Sequence, residues 1–204
     1  YYQNFYYHTH KITRIQQMTQ LCRQLTNTIY HLRQPKILIL ILISLTISIK
    51  ANSNEKLIDV LKEGGKLIFI RHAHAPGNGD PENFNIKDCL TQRNLNQIGK
   101  DQSTKIGLFF KENSIQIDKI LSSQWCRCKD TAFLAFKNFE EKSFLNSFYD
   151  PKFAQNKKKQ ILELKEYISK WNSKKNLVLV THYVIISELL NVYTSSGQIV
   201  ISDK

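Results

Sequence analysis

The chain has 204 residues and a formal net charge of +12 at pH 7, from 29 Lys and Arg residues against 17 Asp and Glu residues. Six of the 29 basic residues and none of the acidic ones lie in residues 1–50, so residues 51–204 carry 23 basic and 17 acidic residues, a net charge of +6. This moderate excess suits an anionic substrate and does not call for nucleic acid, and about 154 residues form one domain with no room for a second.

The first 51 residues form two segments. Residues 1–35 hold no acidic residue and show no clean periodicity, which indicates an N-terminal extension that is disordered or not part of the native protein. Residues 36–51 begin with Lys36 and continue as thirteen mostly aliphatic residues, 37–49, too few to span a bilayer, which needs roughly 20. This pattern predicts a secretory signal cleaved after Ala51, with an uncleaved anchor or a buried helix as alternatives.

The first two of these interpretations place the domain outside the cytoplasm. The sequence therefore predicts export to a bacterial periplasm, or anchoring that faces it, with membrane contact only through the N-terminal segment. The domain itself is predicted to occupy residues 52–204.

Strand and helix patterns alternate along this domain. The strands are predicted at 67–70, 117–121, 177–181 and 198–201, and the helices at 55–65, 96–111, 125–138, 156–171 and 183–191. This alternation predicts an α/β fold, a three-layer α/β/α sandwich with a mostly parallel sheet covered on both faces.

Basic side chains stand where three of these strands end. Arg71 and His72 follow the first strand, His182 follows the strand at 177–181, and Arg127 opens the helix after the strand at 117–121. Ligands of open α/β sheets bind beyond the carboxyl ends of the strands. Two guanidinium groups and two imidazoles around one point suit a phosphoryl group, because the planar guanidinium matches phosphate oxygens two at a time.

At these positions the sequence resembles the histidine phosphatase superfamily, the phosphoglycerate-mutase-like enzymes. The resemblance runs from about residue 66 to 202 and is closest to small exported or phosphohistidine-phosphatase-like members of branch 1. Four sequence blocks carry it, in the order of the family: Ile70-Arg71-His72-Ala73, Arg93-Asn-Leu95-Asn96-Gln-Ile-Gly99, Ser123-Gln-Trp-Cys-Arg127-Cys-Lys-Asp-Thr131-Ala132 and Val180-Thr181-His182.

The resemblance implies a metal-independent phosphatase that needs no cofactor and acts on a small phosphorylated substrate. His72 would be the nucleophile, forming a phosphohistidine that water then hydrolyses. Arg71, Arg127 and His182 would hold the phosphoryl oxygens and stabilise the charge of the transition state. Further substrate contacts are predicted for Asn78, Arg93 and His74.

The general acid of the reaction is not evident in the sequence. Ser147 stands where mutase-type members carry a glutamate, and Tyr183 stands where other members carry an acid after the second histidine. Asp150 is the first candidate, with Asp80 and Glu82 also able to reach the site. The missing acid argues against a mutase and keeps open a second interpretation, a protein of this fold that binds a phosphorylated ligand without turnover.

Two pairs of residues, one of histidines and one of cysteines, resemble parts of metal sites, but the sequence does not favour a metal at either. His72 and His74 could form a metal pair, but no third ligand is evident and Arg71 would repel a cation. Cys126 and Cys128 form half of a zinc site without a second pair. In an oxidising compartment we expect instead a disulfide from Cys89 to Cys126 or Cys128, which would tie the loop after the first strand to the helix of Arg127.

Overall fold

The structure is a computed structural model that describes residues 5–7 and 55–204. The segment predicted as a signal or anchor, and most of the predicted N-terminal extension, lie outside the described residues. Within the described part of the chain, no helix is both long and apolar enough to cross a membrane. The sheet and the site described below belong to one compact unit, Tyr1–Tyr7 with Val60–Lys204.

The sheet has the strand order β1-β6-β2-β5-β3-β4. Strand β6 runs antiparallel to β2, and the other neighbouring pairs are parallel, so the sheet is mostly parallel as predicted. The strand bounds are β1 Phe5–Tyr7, β2 Leu67–Arg71, β3 Ile117–Ser122, β4 Glu140–Glu141, β5 Asn176–Thr181 and β6 Ile199–Ser202.

Helices lie between the strands at the positions that the sequence predicts. Their bounds are α1 55–63, α2 Gln97–Glu112, α3 Cys126–Phe136, α4 Lys157–Lys170 and α5 Tyr183–Leu190. Asn96 caps the N-terminus of α2, because its side chain accepts a hydrogen bond from the Gly99 amide. Three 3-10 turns, Cys89–Thr91, Ser143–Leu145 and Pro151–Asn156, were not predicted as such.

The central strands are buried on both faces, which explains why they are continuous apolar runs. Alternate residues of β2 and β5, such as Phe69 and Leu179, share one core cluster with Leu164 of α4 and Ile185 of α5. The intervening side chains, such as Ile68, face the opposite side and are also fully buried. Helices α2 and α3 pack together, and α3 contacts β3 and β5, so helices cover both sides of the sheet.

This topology brings three strand ends to one edge of the sheet. The His72 amide donates to the Thr181 carbonyl (2.9 Å), and the Ser123 amide donates to the Val180 carbonyl (2.9 Å), which aligns the ends of β2, β5 and β3. The loop after β2 lies directly on α2, where a Cβ at Gly99 would overlap the His74 carbonyl. The close approach therefore requires glycine at this position.

Candidate active site

His72 and His182 meet at this edge of the sheet. Each follows its strand by one residue, and the two rings lie edge to face with their centroids 5.4 Å apart. Both side chains are buried, at 2% and 3% exposure. The two histidines that the sequence predicted as a pair are therefore neighbours in the fold.

The protonation state of His72 follows from its contacts. Its Nδ1 lies 2.8 Å from the Ala73 carbonyl oxygen. A carbonyl can only accept, so Nδ1 carries the proton and Nε2 of the neutral ring keeps a free lone pair. Burial lowers the pKa of His72 well below its ordinary value, and the positive charge of Arg127 lowers it further. The ring is thus a neutral imidazole whose Nε2 is unprotonated.

A chain of hydrogen bonds fixes the ring of His182. Its Nε2 lies 2.9 Å from the Ser123 hydroxyl, which donates to Oδ1 of Asn146 (3.1 Å). That Oδ1 also accepts from the Gln124 amide (2.9 Å), which holds Asn146 in place. Burial, followed by the charge of Arg127, also lowers the pKa of His182 well below its ordinary value. Ser123 belongs to a family block, but its role as a support for His182 was not predicted.

Arg127 is held by a carboxylate that faces the same cavity. Its Nη1 donates to Oδ1 of Asp80 (2.7 Å) and its Nη2 donates to Oδ2 (3.2 Å). Asp80 also accepts from the Trp125 indole (3.0 Å) and the Arg93 amide (3.0 Å). Burial raises the pKa of Asp80, but its bonds to Arg127 outweigh burial and the pKa lies below its ordinary value. Asp80 is therefore ionised near neutral pH.

Among the described residues, Arg71 has no carboxylate partner of this kind. Its Nη1 donates to the Thr194 carbonyl, and its guanidinium lies over the Tyr183 ring at 5.1 Å from the centroid. The Nε atoms of Arg71 and Arg127 are buried, and neither has a hydrogen-bond partner among the described residues. Unpaired guanidinium donors around a neutral imidazole are what an anion-binding site requires.

Arg93 and Asn78 line the same cavity, as predicted, but on its loop side. The Nε of Arg93 donates to the Gly79 carbonyl (2.8 Å) and its Nη1 donates to the Ala75 carbonyl, so this guanidinium anchors the loop after β2. Asn78 donates through Nδ2 to the Tyr149 hydroxyl (3.2 Å).

The cavity has a volume of about 70 Å³. The candidate acids Asp80 and Asp150 are both in its wall, and Glu82 lies in a neighbouring groove. The lining residues are Arg71, His72, Gly77, Asn78, Gly79, Asp80, Arg93, Trp125, Arg127, Ser147, Tyr149, Asp150, Phe153, His182 and Tyr183.

The structure does not bring His74 to the cavity, contrary to the sequence prediction. The Nδ1 of His74 lies 3.0 Å from Oδ1 of Asn96, so the ring packs at the start of α2. The chain turns after His72, and residues two apart no longer share the face that a continuing strand would give them. Among the described residues, no group of three or more His, Cys, Asp or Glu side chains is arranged to hold a metal ion.

A larger groove adjoins the cavity and shares Trp125, Ser147 and Phe153 with it. Its volume is about 870 Å³, and its wall is rich in amides and charged groups, with Phe84 stacked on Trp125 at 5.0 Å between ring centroids. The small cavity thus has an open space beside it.

Of the two pairings left open by the sequence, the structure contains the disulfide Cys89–Cys126, with the Cα atoms 5.7 Å apart. It ties the loop after β2 to the first turn of α3, where Arg127 lies. Cys128 is a free thiol, buried, with its sulfur 3.5 Å from Nε2 of His182. Burial raises the pKa of Cys128 to about 12, so this thiol is not a nucleophile at neutral pH.

Known proteins resemble this chain in part of its sequence and in its fold. No family model matches the chain. A stretch of 86 residues, 41% of the chain, is 30% identical to a broad-specificity phosphatase of Saccharomyces cerevisiae. The match spans about a third (34%) of the length of that curated relative.

Solved structures with a similar fold include two phosphatases. A phosphoserine phosphatase of Entamoeba histolytica, in complex with 3-phosphoglyceric acid, superposes with a TM-score of 0.52 at 16% identity, over 67% of this chain and 89% of that one. A putative alpha-ribazole-5'-P phosphatase of Escherichia coli gives a TM-score of 0.50 at 14% identity, over the same shares of the two chains.

The sheet and its covering helices have the phosphoglycerate-mutase-like α/β/α fold of these two solved structures.

Proposed function

We propose that the chain is a metal-independent phosphatase that hydrolyses a phosphomonoester, or a related phosphoryl compound, through a phosphohistidine on His72. One observation carries the proposal. The His72 ring is neutral, its Nε2 lone pair is free, and it lies in the same small cavity as the guanidinium groups of Arg71 and Arg127.

The reaction proceeds in two steps. The Nε2 lone pair of His72 attacks phosphorus, the bond from phosphorus to the leaving oxygen breaks, and that oxygen takes up a proton from the solvent. Water then attacks the phosphohistidine, the phosphorus–nitrogen bond breaks, inorganic phosphate leaves, and one proton of the water returns to the solvent. Arg71 and Arg127 stabilise the negative charge of the phosphoryl oxygens in both transition states, which supplies the positive charge that phosphoryl transfer requires.

The surroundings of the cavity support a substrate larger than phosphate itself. The adjoining groove of about 870 Å³ is large enough for a substantial leaving group. Asp80 and Asp150 are the carboxylates beside the cavity, and Asp80 is engaged by Arg127. A leaving group that departs without protonation, such as a phenolate, is therefore the most suitable probe of activity.

The test is hydrolysis of an aryl phosphate in the presence of a chelator. We expect turnover by the unaltered chain and its loss in His72→Ala. His74→Ala is the matched control, because it removes a neighbouring imidazole that the structure places outside the cavity, and it should retain most of the activity. If the unaltered chain shows no turnover while phosphate still raises its melting temperature, the phosphatase is excluded and a phosphate-binding protein is left.

We also propose that the protein works outside the cytosol. The aliphatic segment at 37–49 supports export, and so does the disulfide Cys89–Cys126, since such bonds persist in oxidising compartments. Alkylation of free thiols in the native protein purified from its source checks this. Protection of Cys89 and Cys126 is expected, and reduced cysteines at both positions would contradict the proposal.

A further inference from the structure

Asp80 is bound as a substrate anion would be. Each of its two oxygens accepts two hydrogen bonds: Oδ1 from Arg127 and the Arg93 amide, and Oδ2 from Arg127 and the Trp125 indole. The Asp80 side chain is 11% exposed and that of Arg127 is 4% exposed. Both terminal nitrogens of Arg127, which would bind a phosphoryl group in the bidentate manner, are engaged by this carboxylate.

The Asp80 carboxylate occupies the position on Arg127 that a phosphoryl group would take. Each terminal nitrogen of Arg127 already donates to one oxygen of Asp80. A phosphoryl group and the Asp80 carboxylate therefore cannot both bind these two nitrogens in the bidentate manner.

We infer that Asp80 is a specificity-determining residue, an internal carboxylate that competes with the phosphoryl group of the substrate for Arg127 and must leave the guanidinium when substrate binds. The inference rests on the proposed function, because it concerns the same cavity. It also gives Asp80 a role in the unliganded protein, where this carboxylate neutralises one of three neighbouring arginines.

The local backbone allows Asp80 to move while its loop stays anchored. Gly77 and Gly79 precede Asp80 with φ values of +91° and +67°, a region in which glycine rotates at little cost. Arg93 meanwhile holds the same loop through the Gly79 and Ala75 carbonyls. We therefore expect the Asp80 side chain to rotate away from Arg127, with little displacement of the loop.

The competition with Asp80 favours ligands that bind the Arg127 guanidinium more strongly than a carboxylate does. A small carboxylate offers Arg127 the same chemical group as Asp80. Because Asp80 is already tethered to the protein, the free carboxylate does not displace it. A phosphate dianion carries more charge and a third oxygen, which can also reach Arg71. Asp80 thus lowers the affinity for all anions and excludes small carboxylates from the site.

The test compares Asp80→Asn with Asp150→Asn, a matched control that removes the same charge from the same cavity wall. Asp150 accepts from the Lys152 amide (3.0 Å) and pairs with the Lys152 amine (3.5 Å), and it has no contact with an arginine among the described residues. We expect Asp80→Asn to lower the Ki of inorganic phosphate against aryl phosphate hydrolysis by about ten-fold or more. Asp150→Asn should change this Ki by less than about three-fold.

Acetate gives a second readout, since it should inhibit Asp80→Asn and not the unaltered chain. A Ki for phosphate that stays the same or rises in both Asp80→Asn and Asp80→Ala, each shown to be folded by its thermal melt, would overturn the inference. If no variant hydrolyses aryl phosphate, the proposed function fails separately, and calorimetric titration with phosphate tests the same ten-fold difference.

Discussion

Arg71 and Arg127 line the same cavity but are held in different ways. Arg127 is buried and forms a bidentate pair with Asp80, whereas Arg71 donates to the Thr194 carbonyl and lies over the Tyr183 ring. In the part of the chain that the structure describes, a carboxylate balances the positive charge of Arg127 and none balances that of Arg71. We infer from this difference that Arg71 attracts an anion at all times. Arg127 becomes available to bind the anion only when Asp80 moves.

The largest expected effect is a difference in the free energy of unfolding between alanine variants of the two arginines. Arg127→Ala leaves the Asp80 carboxylate buried without its cation, and breaking such a pair lowers the free energy of unfolding by about 3–5 kcal/mol. Arg71→Ala removes contacts with only a carbonyl and an aromatic ring, so it should lower the free energy of unfolding clearly less. Denaturant unfolding measures both. The double variant Arg127→Ala with Asp80→Ala should recover part of the loss, and equal losses in the two single variants would contradict the comparison.

The second effect concerns catalysis. Removing one preorganised donor to a developing charge typically lowers kcat by about 10²–10³-fold. We expect a loss of this size in kcat/KM for aryl phosphate in Arg71→Ala. Arg71→Lys is the control, since it keeps a cation near the phosphoryl oxygens and should lose less. A rate for Arg71→Ala close to that of the unaltered chain would show that Arg71 does not stabilise the transition state.

The third effect concerns the disulfide, which ties the loop after β2 to the first turn of α3, next to Arg127. Replacing both Cys89 and Cys126 by serine should lower the free energy of unfolding by about 4 kcal/mol, because the bond closes a loop of 37 residues. Thermal melts with and without reductant measure this. Cys128→Ala keeps the disulfide, so its melting temperature should still fall in reductant. A melting temperature of the unaltered chain that does not respond to reductant would contradict the prediction.

The smallest effect is the pH dependence of stability. The folded pKa values of His72 and His182 are lowered by burial and then by Arg127, whereas the unfolded chain titrates near 6.5. Below pH 6.5 the unfolded state therefore binds protons that the folded state does not. The stabilising contribution is complete above pH 6.5 and is lost as the pH falls below it, by about 1 kcal/mol per histidine over the first pH unit.

Unfolding in denaturant from pH 7.5 to 5.5 measures this slope. His182→Gln removes one of the two groups and should reduce the loss by about half. A stability that stays constant over this range in the unaltered chain would show that the two imidazoles are not held neutral by the fold.

The strand-end residues could be predicted from the sequence because their placement depends on the strand directly before them. Each apolar run that is buried on both faces becomes a central strand, and the residue after it comes to the edge of the sheet. Arg71, His72 and His182 follow from this rule alone. Arg127 follows from the same rule, because its helix begins directly after β3.

The sequence could not predict contacts that depend on the path of a loop. Asp80 meets Arg127 across 47 residues of chain, and only the fold of the loop after β2 decides which carboxylate reaches the guanidinium. The same turn carries His74 to Asn96 and away from His72. The choice of Cys126 over Cys128 depends on the face of α3 that meets the loop, since residues two apart on a helix point in different directions.

Detection of the covalent intermediate tests the central claim most directly. The chain is mixed with an aryl phosphate in the presence of a chelator, quenched in alkali, and examined by mass spectrometry for a phosphoryl group on a histidine. We expect a phosphohistidine at His72, absent in His72→Ala and unaffected by His74→Ala. Sustained hydrolysis in His72→Ala, or a phosphoryl group found on a different residue, would contradict it.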